Sequence, residues 1–101
     1  MSLTKKLILL GVVLVFAVVI IGAGIWLMRP DIRVGGKDFT EQSILCHMMA
    51  DMLEAHTDLK VGREPYLGGT MVCFNALRGG DLGLYAEYTG TGLVSILKRE
   101  T

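Results

Sequence analysis

The sequence lacks the charge excess and the side-chain clusters that several classes of function require. Ten Lys and Arg residues balance ten Asp and Glu residues, and the part beyond Met28 is slightly acidic, so no basic surface for nucleic acid is expected. His47 and His56 are nine positions apart and lie on opposite sides of any helix, so they cannot share a metal ion. No catalytic Ser/His/Asp or Cys/His spacing and no Walker-type phosphate loop is present. We therefore expect no enzyme, no cofactor, no metal and no nucleic-acid partner.

Cysteine and proline are equally scarce, with two residues of each. Cys46 and Cys73 fall on different predicted helices. In an exported domain they could form a disulfide, but the sequence does not give their separation, and we prefer two separate, partly buried thiols. Pro30 is expected to end a first helix. Pro65 follows a short alternating stretch and predicts a strand at the edge of a sheet.

One long apolar segment is present, from Leu7 to Met28, without a charged residue. As a helix its 22 residues would be about 33 Å long, enough to cross the hydrocarbon core of a bilayer. Lys5 and Lys6 precede it and favour a cytoplasmic N-terminus, which places the remainder outside the cytoplasm. The segment is longer than the apolar region of about 7–15 residues in a cleaved signal peptide, the competing interpretation. We therefore predict that residues 1–29 are a cytoplasmic stub and a signal-anchor helix in the cell membrane.

Strand-like and helix-like patterns alternate after Pro30. Short strands are predicted at residues 31–36, 59–65 and 82–84, and helices begin near Gln42 and Thr70. This β-α-β-α-β order predicts an α/β fold with a parallel sheet.

The two predicted helices carry further local signals. Asp38 with Glu41 three residues later has the form of a capping box, and Thr70 occupies an N-cap position. The second helix has one apolar stripe, which we expect to pack in the core. That stripe consists of Ile44, Leu45, Met48, Met49, Met52 and Leu53.

Three loops follow the carboxyl ends of the predicted strands, at Gly36–Gln42, Gly68–Thr70 and Tyr85–Thr91. In an open parallel sheet these ends share one edge, which is where ligands bind. The loops lead into helix N-termini, which offer N–H groups to an anion. Aromatic faces in the third loop attract a cation. The combination suits a small zwitterion with a bulky cationic head.

The candidate ligand-binding residues come from these loops. Tyr88 is the aromatic candidate, whereas Tyr85 is better explained by packing at the strand end. Glu87 could pair with a ligand cation, but a solvated or capping carboxylate is an equal alternative. The polar candidates, which could also be helix caps only, are Thr40, Gln42, Thr70, Thr89 and Thr91.

Three segments resemble the substrate-binding proteins of osmoprotectant ABC importers, in the glycine betaine, choline and proline betaine branch. They are Val34–Gln42, Leu67–Cys73 and Tyr85–Gly92, and the resemblance extends over about residues 32–101. It implies a type II periplasmic-binding-protein fold whose two lobes close around a quaternary ammonium compound. It also implies an aromatic cage for the ammonium head, polar groups for the carboxylate, and delivery to a permease powered by an ATPase.

Carried over to this sequence, the resemblance assigns Tyr88 to the cage and Thr89, Thr91, Thr70 and Gln42 to polar contacts. The family usually has proline where Ala86 stands and an acidic residue where Gly83 stands. Its domain is also several times longer, so residues 30–101 are expected to be a partial, truncated substrate-binding lobe. The alternatives are a binding module for another small amine or amino acid, and a small membrane-interaction protein that uses residues 7–28 without binding a solute.

Overall fold

The computed structural model describes residues 2–98, and it consists of a long N-terminal helix followed by a small α/β unit. The sequence expectations for residues 99–101, at the end of the predicted lobe, lie outside the described residues.

The first helix, α1, extends from Leu3 to Leu27 and has no buried residue. Ser2 caps it by accepting a hydrogen bond from the Lys5 N–H at 3.4 Å. At 25 residues it is about 37 Å long, and its length and composition suffice to cross a membrane. The prediction of an N-terminal apolar helix is confirmed, although it begins four residues earlier than Leu7.

The sheet has three parallel strands in the order β2-β1-β3. They are β1 from Ile32 to Lys37, β2 from Val61 to Gly68 and β3 from Leu84 to Tyr85. The parallel sheet and the edge position of the strand that contains Pro65 agree with the sequence prediction. Because β1 is central, its last four residues are buried.

Helices α2 and α3 connect the strands. Helix α2 extends from Thr40 to His56 and α3 from Thr70 to Gly79. Gly80 is the C-cap residue of α3, and its φ of 86° is a left-handed conformation that glycine adopts without strain. A short α-helical turn, α4, from Thr89 to Thr91, continues into a π-helical turn from Gly92 to Ile96.

The core under α2 contains small residues rather than the methionines. Cys46 and Ala50 are fully buried against Val34. The expectation for the apolar stripe is therefore wrong for Met48 and Met52, which are 57% and 60% exposed, and for Ile44, which is 55% exposed. Met49, Leu53 and Leu45 are partly buried.

The close approach of α2 to β1 explains why small residues fill this core. A Cβ atom on Gly36 would lie 3.0 Å from the Gln42 carbonyl oxygen and 3.2 Å from the Cys46 Cβ. The helix can approach to this distance only because Gly36 has no side chain. At this separation the small side chains of Cys46 and Ala50 fill the space between helix and strand, and Met49 packs at its margin.

Both cysteines are free and fully buried. The Cys46 thiol donates to the Val34 carbonyl oxygen at an S···O distance of 3.3 Å, and the Cys73 thiol lies 3.7 Å from the Gly36 carbonyl oxygen. Burial raises the pKa of both thiols. The structure confirms two separate thiols, and they are buried completely rather than partly.

Candidate functional site

The three loops meet around the ammonium group of Lys37 at the carboxyl edge of the sheet. Lys37 is the last residue of β1 and is only 5% exposed. Its Nζ donates to Glu87 Oε1 in the third loop at 2.7 Å, and to Thr70 Oγ1 in the second loop at 3.2 Å. One buried cation therefore links all three strand ends.

Gln42 makes a second connection between the loops. Its side chain is fully buried in the first turn of α2. The amide oxygen accepts the Lys37 backbone N–H at 3.1 Å, and the amide nitrogen donates to the Ala86 carbonyl oxygen at 2.9 Å. Both ends of the Gln42 side chain are thus used within the protein.

The Glu87 carboxylate collects three donors. Besides Lys37 Nζ, it accepts the Tyr85 hydroxyl at 2.9 Å and the Tyr88 backbone N–H at 2.9 Å. Burial alone would raise the pKa of Glu87, but the bonds from Lys37, Tyr88 and Tyr85 outweigh it and lower that pKa. Burial, followed by the bond to Glu87, raises the pKa of Tyr85. Glu87 is therefore an internal partner of Lys37 and not a solvated carboxylate.

The low pKa of Glu87 predicts a loss of stability in acid. A carboxyl group whose pKa is lower in the folded state stabilises the fold above its unfolded pKa, and this stabilisation disappears as the pH falls through the folded pKa. We therefore expect the free energy of unfolding, measured by urea denaturation, to decline below about pH 4.5, the ordinary value for this group. The decline should be shallower in Glu87→Gln. The control substitution Glu54→Gln, at an exposed site, should leave the decline unchanged. Equal pH profiles for all three proteins would contradict this assignment.

Two aromatic rings flank the same ammonium group. The rings of Phe39 and Tyr88 are stacked, with their centroids 6.1 Å apart and an interplanar angle of 21°. Lys37 Nζ lies 5.2 Å from the Tyr88 centroid and 5.7 Å from the Phe39 centroid, within the range of cation–π attraction. The Tyr88 hydroxyl donates to Glu41 Oε1 at 2.7 Å, and this bond raises the pKa of Tyr88. Phe39 is 41% exposed, so the ring pair is open to solvent.

The predicted helix caps are wrong, and the Glu41 and Thr70 side chains have partners elsewhere. Helix α2 begins at Thr40 with Phe39 as its N-cap residue, without a side-chain cap from Asp38, and Glu41 accepts from Tyr88 instead. Helix α3 begins at Thr70, so its N-cap residue is Gly69, and the Thr70 hydroxyl accepts from Lys37.

The structure connects some of the predicted site residues and places others around them. Gln42, Thr70 and Tyr88 belong to the network just described. Thr40 is the exposed first residue of α2, and α4 contains Thr89, which is exposed, and Thr91, which is half-buried.

Sequence reasoning missed the roles of Lys37 and Phe39. A lysine directly after Val34, Gly35 and Gly36 in a predicted strand was the available signal for Lys37, because a buried lysine requires a partner. An aromatic residue in an otherwise polar loop was the signal for the second.

Residues 30–100 match the family described as the substrate-binding domain of the ABC-type glycine betaine transport system. This match covers most of the chain, so the chain belongs to that family. Its members are binding proteins for transport and not enzymes, and they act outside the cytoplasm. The helix α1 is suited to hold such a protein at a membrane.

Individual relatives agree with the family. The chain is 37% identical over 73 residues to the carnitine transport binding protein OpuCC of Listeria monocytogenes, a match that covers 71% of this chain and 24% of the relative. It is 38% identical over 61 residues to the glycine betaine-binding protein YehZ of Escherichia coli, a match that covers 60% of this chain and 20% of the relative. It is 35% identical over 91 residues to the ergothioneine transport permease/ergothioneine binding protein EgtU of Helicobacter pylori. This match covers 83% of this chain and 16% of the relative. The chain thus spans a quarter or less of the length of these relatives.

The match to EgtU also reaches the N-terminal helix. It covers 83% of the 101 residues, which is about 84 residues, whereas only 72 residues lie between Pro30 and Thr101. Only Met28 and Arg29 lie between α1 and Pro30, so part of α1 must be included in the match.

Proposed function

We propose that this chain forms the first part of a type II binding lobe and binds a quaternary ammonium osmoprotectant, such as glycine betaine, for uptake by an ABC permease and its ATPase. In this proposal residues 30–101 are the partial lobe and residues 1–29 are the cytoplasmic stub and membrane anchor. Family membership supports the class of protein. The aromatic rings at the carboxyl edge of the sheet support a quaternary ammonium compound as the class of solute.

The observation that carries the proposal is the ring pair of Phe39 and Tyr88 with an ammonium group already beside it. A trimethylammonium head has no N–H and cannot donate strong hydrogen bonds. It is recognised instead by cation–π attraction and by shape, which stacked, solvent-open rings provide. We therefore assign the ammonium head to the open side of Phe39 and Tyr88.

The charge of Lys37 is compatible with a second cation nearby. Lys37 and Glu87 form a short ion pair at 2.7 Å with side chains only 6% and 17% exposed, so their charges largely cancel at a distance. A ligand cation at the rings would otherwise face an unneutralised ammonium group of the same sign.

The carboxylate of the solute requires donors around the rings. Hydroxyl groups at the starts of helices supply them, together with the first N–H groups of α2, which lie at the positive end of that helix. The residues assigned to this part are Thr40, Thr70, Thr89 and Thr91. We assign Gln42 to holding the loops in place, because its side chain is buried and both of its amide ends are bonded within the protein.

Substitution of Tyr88 tests the proposal. With the full chain in lipid nanodiscs, we expect an NMR titration to detect binding of glycine betaine, choline or carnitine. Tyr88→Ala should weaken binding by about tenfold, because a partly desolvated cation–π contact contributes roughly 1–2 kcal/mol. Tyr88→Phe, which keeps the ring and loses the bond to Glu41, should bind nearly as well as the unchanged chain.

His47→Ala is the control for that titration, because His47 contacts Arg63 away from the rings. It should bind as the unchanged chain does. Equal binding by Tyr88→Ala and His47→Ala would rule out the aromatic contact. Preference for an unmethylated amine or an amino acid would favour the alternative solute class.

We also propose that α1 remains attached, with the N-terminus in the cytoplasm and the lobe outside. Lys5 and Lys6 at one end of α1 support this orientation. The match that reaches α1 belongs to a relative whose name joins a permease and a binding protein, which supports a position beside a permease. The mass of the chain extracted from membranes would reveal cleavage if α1 were a signal peptide.

A further inference from the structure

A polar depression of about 410 Å³ lies where α1 joins the lobe, and we call it the junction depression. It is at the amino ends of β1 and β2, whereas the ring pair is at the carboxyl edge of the sheet. Its lining comes from the end of α1, from the link to β1 and from the residue before β2. The lining residues are Trp26, Leu27, Arg29, Pro30, Asp31 and Lys60.

Hydrogen bonds hold the sides of the junction depression together. Lys60 Nζ donates to the carbonyl oxygen of Leu27, the last residue of α1, at 2.9 Å. The Lys60 backbone N–H donates to Asp31 Oδ2 at 2.8 Å, and the Asp31 N–H donates to the Lys60 carbonyl oxygen at 2.7 Å. The Lys60 ammonium group is thus held at the C-terminal end of α1, where the last carbonyl oxygens of a helix attract a cation.

The length of α1 places the junction depression at the surface of a bilayer. At 1.5 Å per residue, Leu27 lies about 30 Å beyond Leu7, which is the thickness of a hydrocarbon core. Trp26, which is 67% exposed, lies at the same level, where tryptophan is enriched in membrane proteins. Arg29 and Lys60 therefore lie among the lipid head groups when α1 spans the membrane.

Both cations of the junction depression have donors to spare. Within residues 2–98, neither Arg29 nor Lys60 forms an ion pair. A lysine ammonium group has three N–H donors, so two remain after the bond to Leu27, and an arginine guanidinium group has five. Two cations and one carboxylate, that of Asp31, line the depression, which leaves it with one net positive charge.

We propose that the junction depression binds the phosphate group of an anionic phospholipid in the leaflet where α1 ends. Arg29 and Lys60 donate to the phosphate oxygens, and the Trp26 indole packs against the upper part of an acyl chain. The net positive charge favours phosphatidylglycerol over phosphatidylcholine, because it repels the ammonium group of the latter. A lipid bound here connects the lobe to the membrane at a point besides the helix itself. The inference does not require the proposed solute, but it rests on the proposal that α1 stays attached.

Quenching of Trp26 fluorescence tests the inference, because Trp26 is the single tryptophan of the chain. The full chain is placed in phosphatidylcholine nanodiscs that contain a small fraction of one lipid, brominated near the glycerol end of its acyl chains. Brominated phosphatidylglycerol should be enriched about fivefold around Trp26 relative to brominated phosphatidylcholine, the effect expected of one net positive charge. Arg29→Gln and Lys60→Gln should each remove most of this enrichment.

Two comparisons make the test specific to the junction depression. Lys60→Gln also removes the bond to Leu27, whereas Arg29→Gln breaks no ion pair of residues 2–98, so Arg29→Gln separates lipid binding from a change at the junction. The double substitution Lys5→Gln and Lys6→Gln removes two charges from the other end of α1 and should leave the enrichment around Trp26 unchanged.

Three outcomes would overturn the inference. Equal quenching of the unchanged chain by the two brominated lipids would show that no anionic lipid is preferred. An equal loss with Arg29→Gln and with the double substitution at Lys5 and Lys6 would show only a general attraction between charges. Reversal of the enrichment by glycerol phosphate in the buffer would assign the site to a soluble phosphate compound. Because the mass of the chain reports separately whether α1 is intact, and no solute is present, failure here is distinguishable from failure of the proposed function.

Discussion

Replacement of Lys37 by methionine should lower the free energy of unfolding by about 3 kcal/mol at pH 7, because it leaves the Glu87 carboxylate largely buried without its cation. The free-energy difference should be measured by urea denaturation followed by circular dichroism. It should become smaller as the pH falls below about 4.5, because protonation of the Glu87 carboxylate removes the charge that Lys37 neutralises. This pH dependence separates the loss of an ion pair from a loss of packing, which would be independent of pH.

Arg63→Met is the matched control for the effect of Lys37. Arg63 also forms ion pairs, with Asp51 at 2.6 Å and Glu54 at 3.1 Å, but both carboxylates are exposed. Exposed pairs contribute less than about 1 kcal/mol, so this substitution should have a small effect. Similar losses for Lys37→Met and Arg63→Met would show that burial of the Lys37–Glu87 pair has no special importance.

Gln42→Met should also reduce stability by about 3 kcal/mol. Methionine has a similar length and fills the space, but it leaves the Lys37 N–H and the Ala86 carbonyl without the partners that Gln42 provides. Each unpaired buried group costs roughly 1–3 kcal/mol. Equilibrium unfolding in urea should give the change in free energy. Hydrogen exchange of the Lys37 amide should become faster if the lost bonds are responsible.

A substitution of methionine by glutamine on the same helix is the control for Gln42→Met. Met48 is 57% exposed, so Met48→Gln removes little buried surface and should change the free energy of unfolding by less than about 0.5 kcal/mol. If Gln42→Met were equally neutral, Gln42 would not be holding the first and third loops together.

The site was only partly predictable because its contacts are distant in sequence. The position of the three loops at one edge followed from the strand order, and the structure places Gln42, Thr70 and Tyr88 there. The partner of Thr70, Lys37, is 33 residues away, and Glu87 is 50 residues from Lys37. Local patterns predict caps at Thr70 and Glu41 and cannot identify their distant partners, which are Lys37 and Tyr88.

The core residues of α2 illustrate the same limit. Helical spacing identified an apolar stripe, but it could not indicate how closely the helix approaches the sheet. Gly36 permits a close approach, and the buried positions are therefore Cys46 and Ala50 rather than Met48 and Met52.

The sequence by itself determined the features that depend on neighbouring residues. The apolar segment that begins at Leu7 determines a helix long enough for a membrane, and alternation of strand and helix patterns determines a parallel sheet. Only the tertiary structure decided which side chains are buried and that Lys37 joins the three loops beside Phe39 and Tyr88. The physical reason is that burial, ion pairing and ring stacking depend on distances between strand ends, and those distances exist only after the sheet has formed.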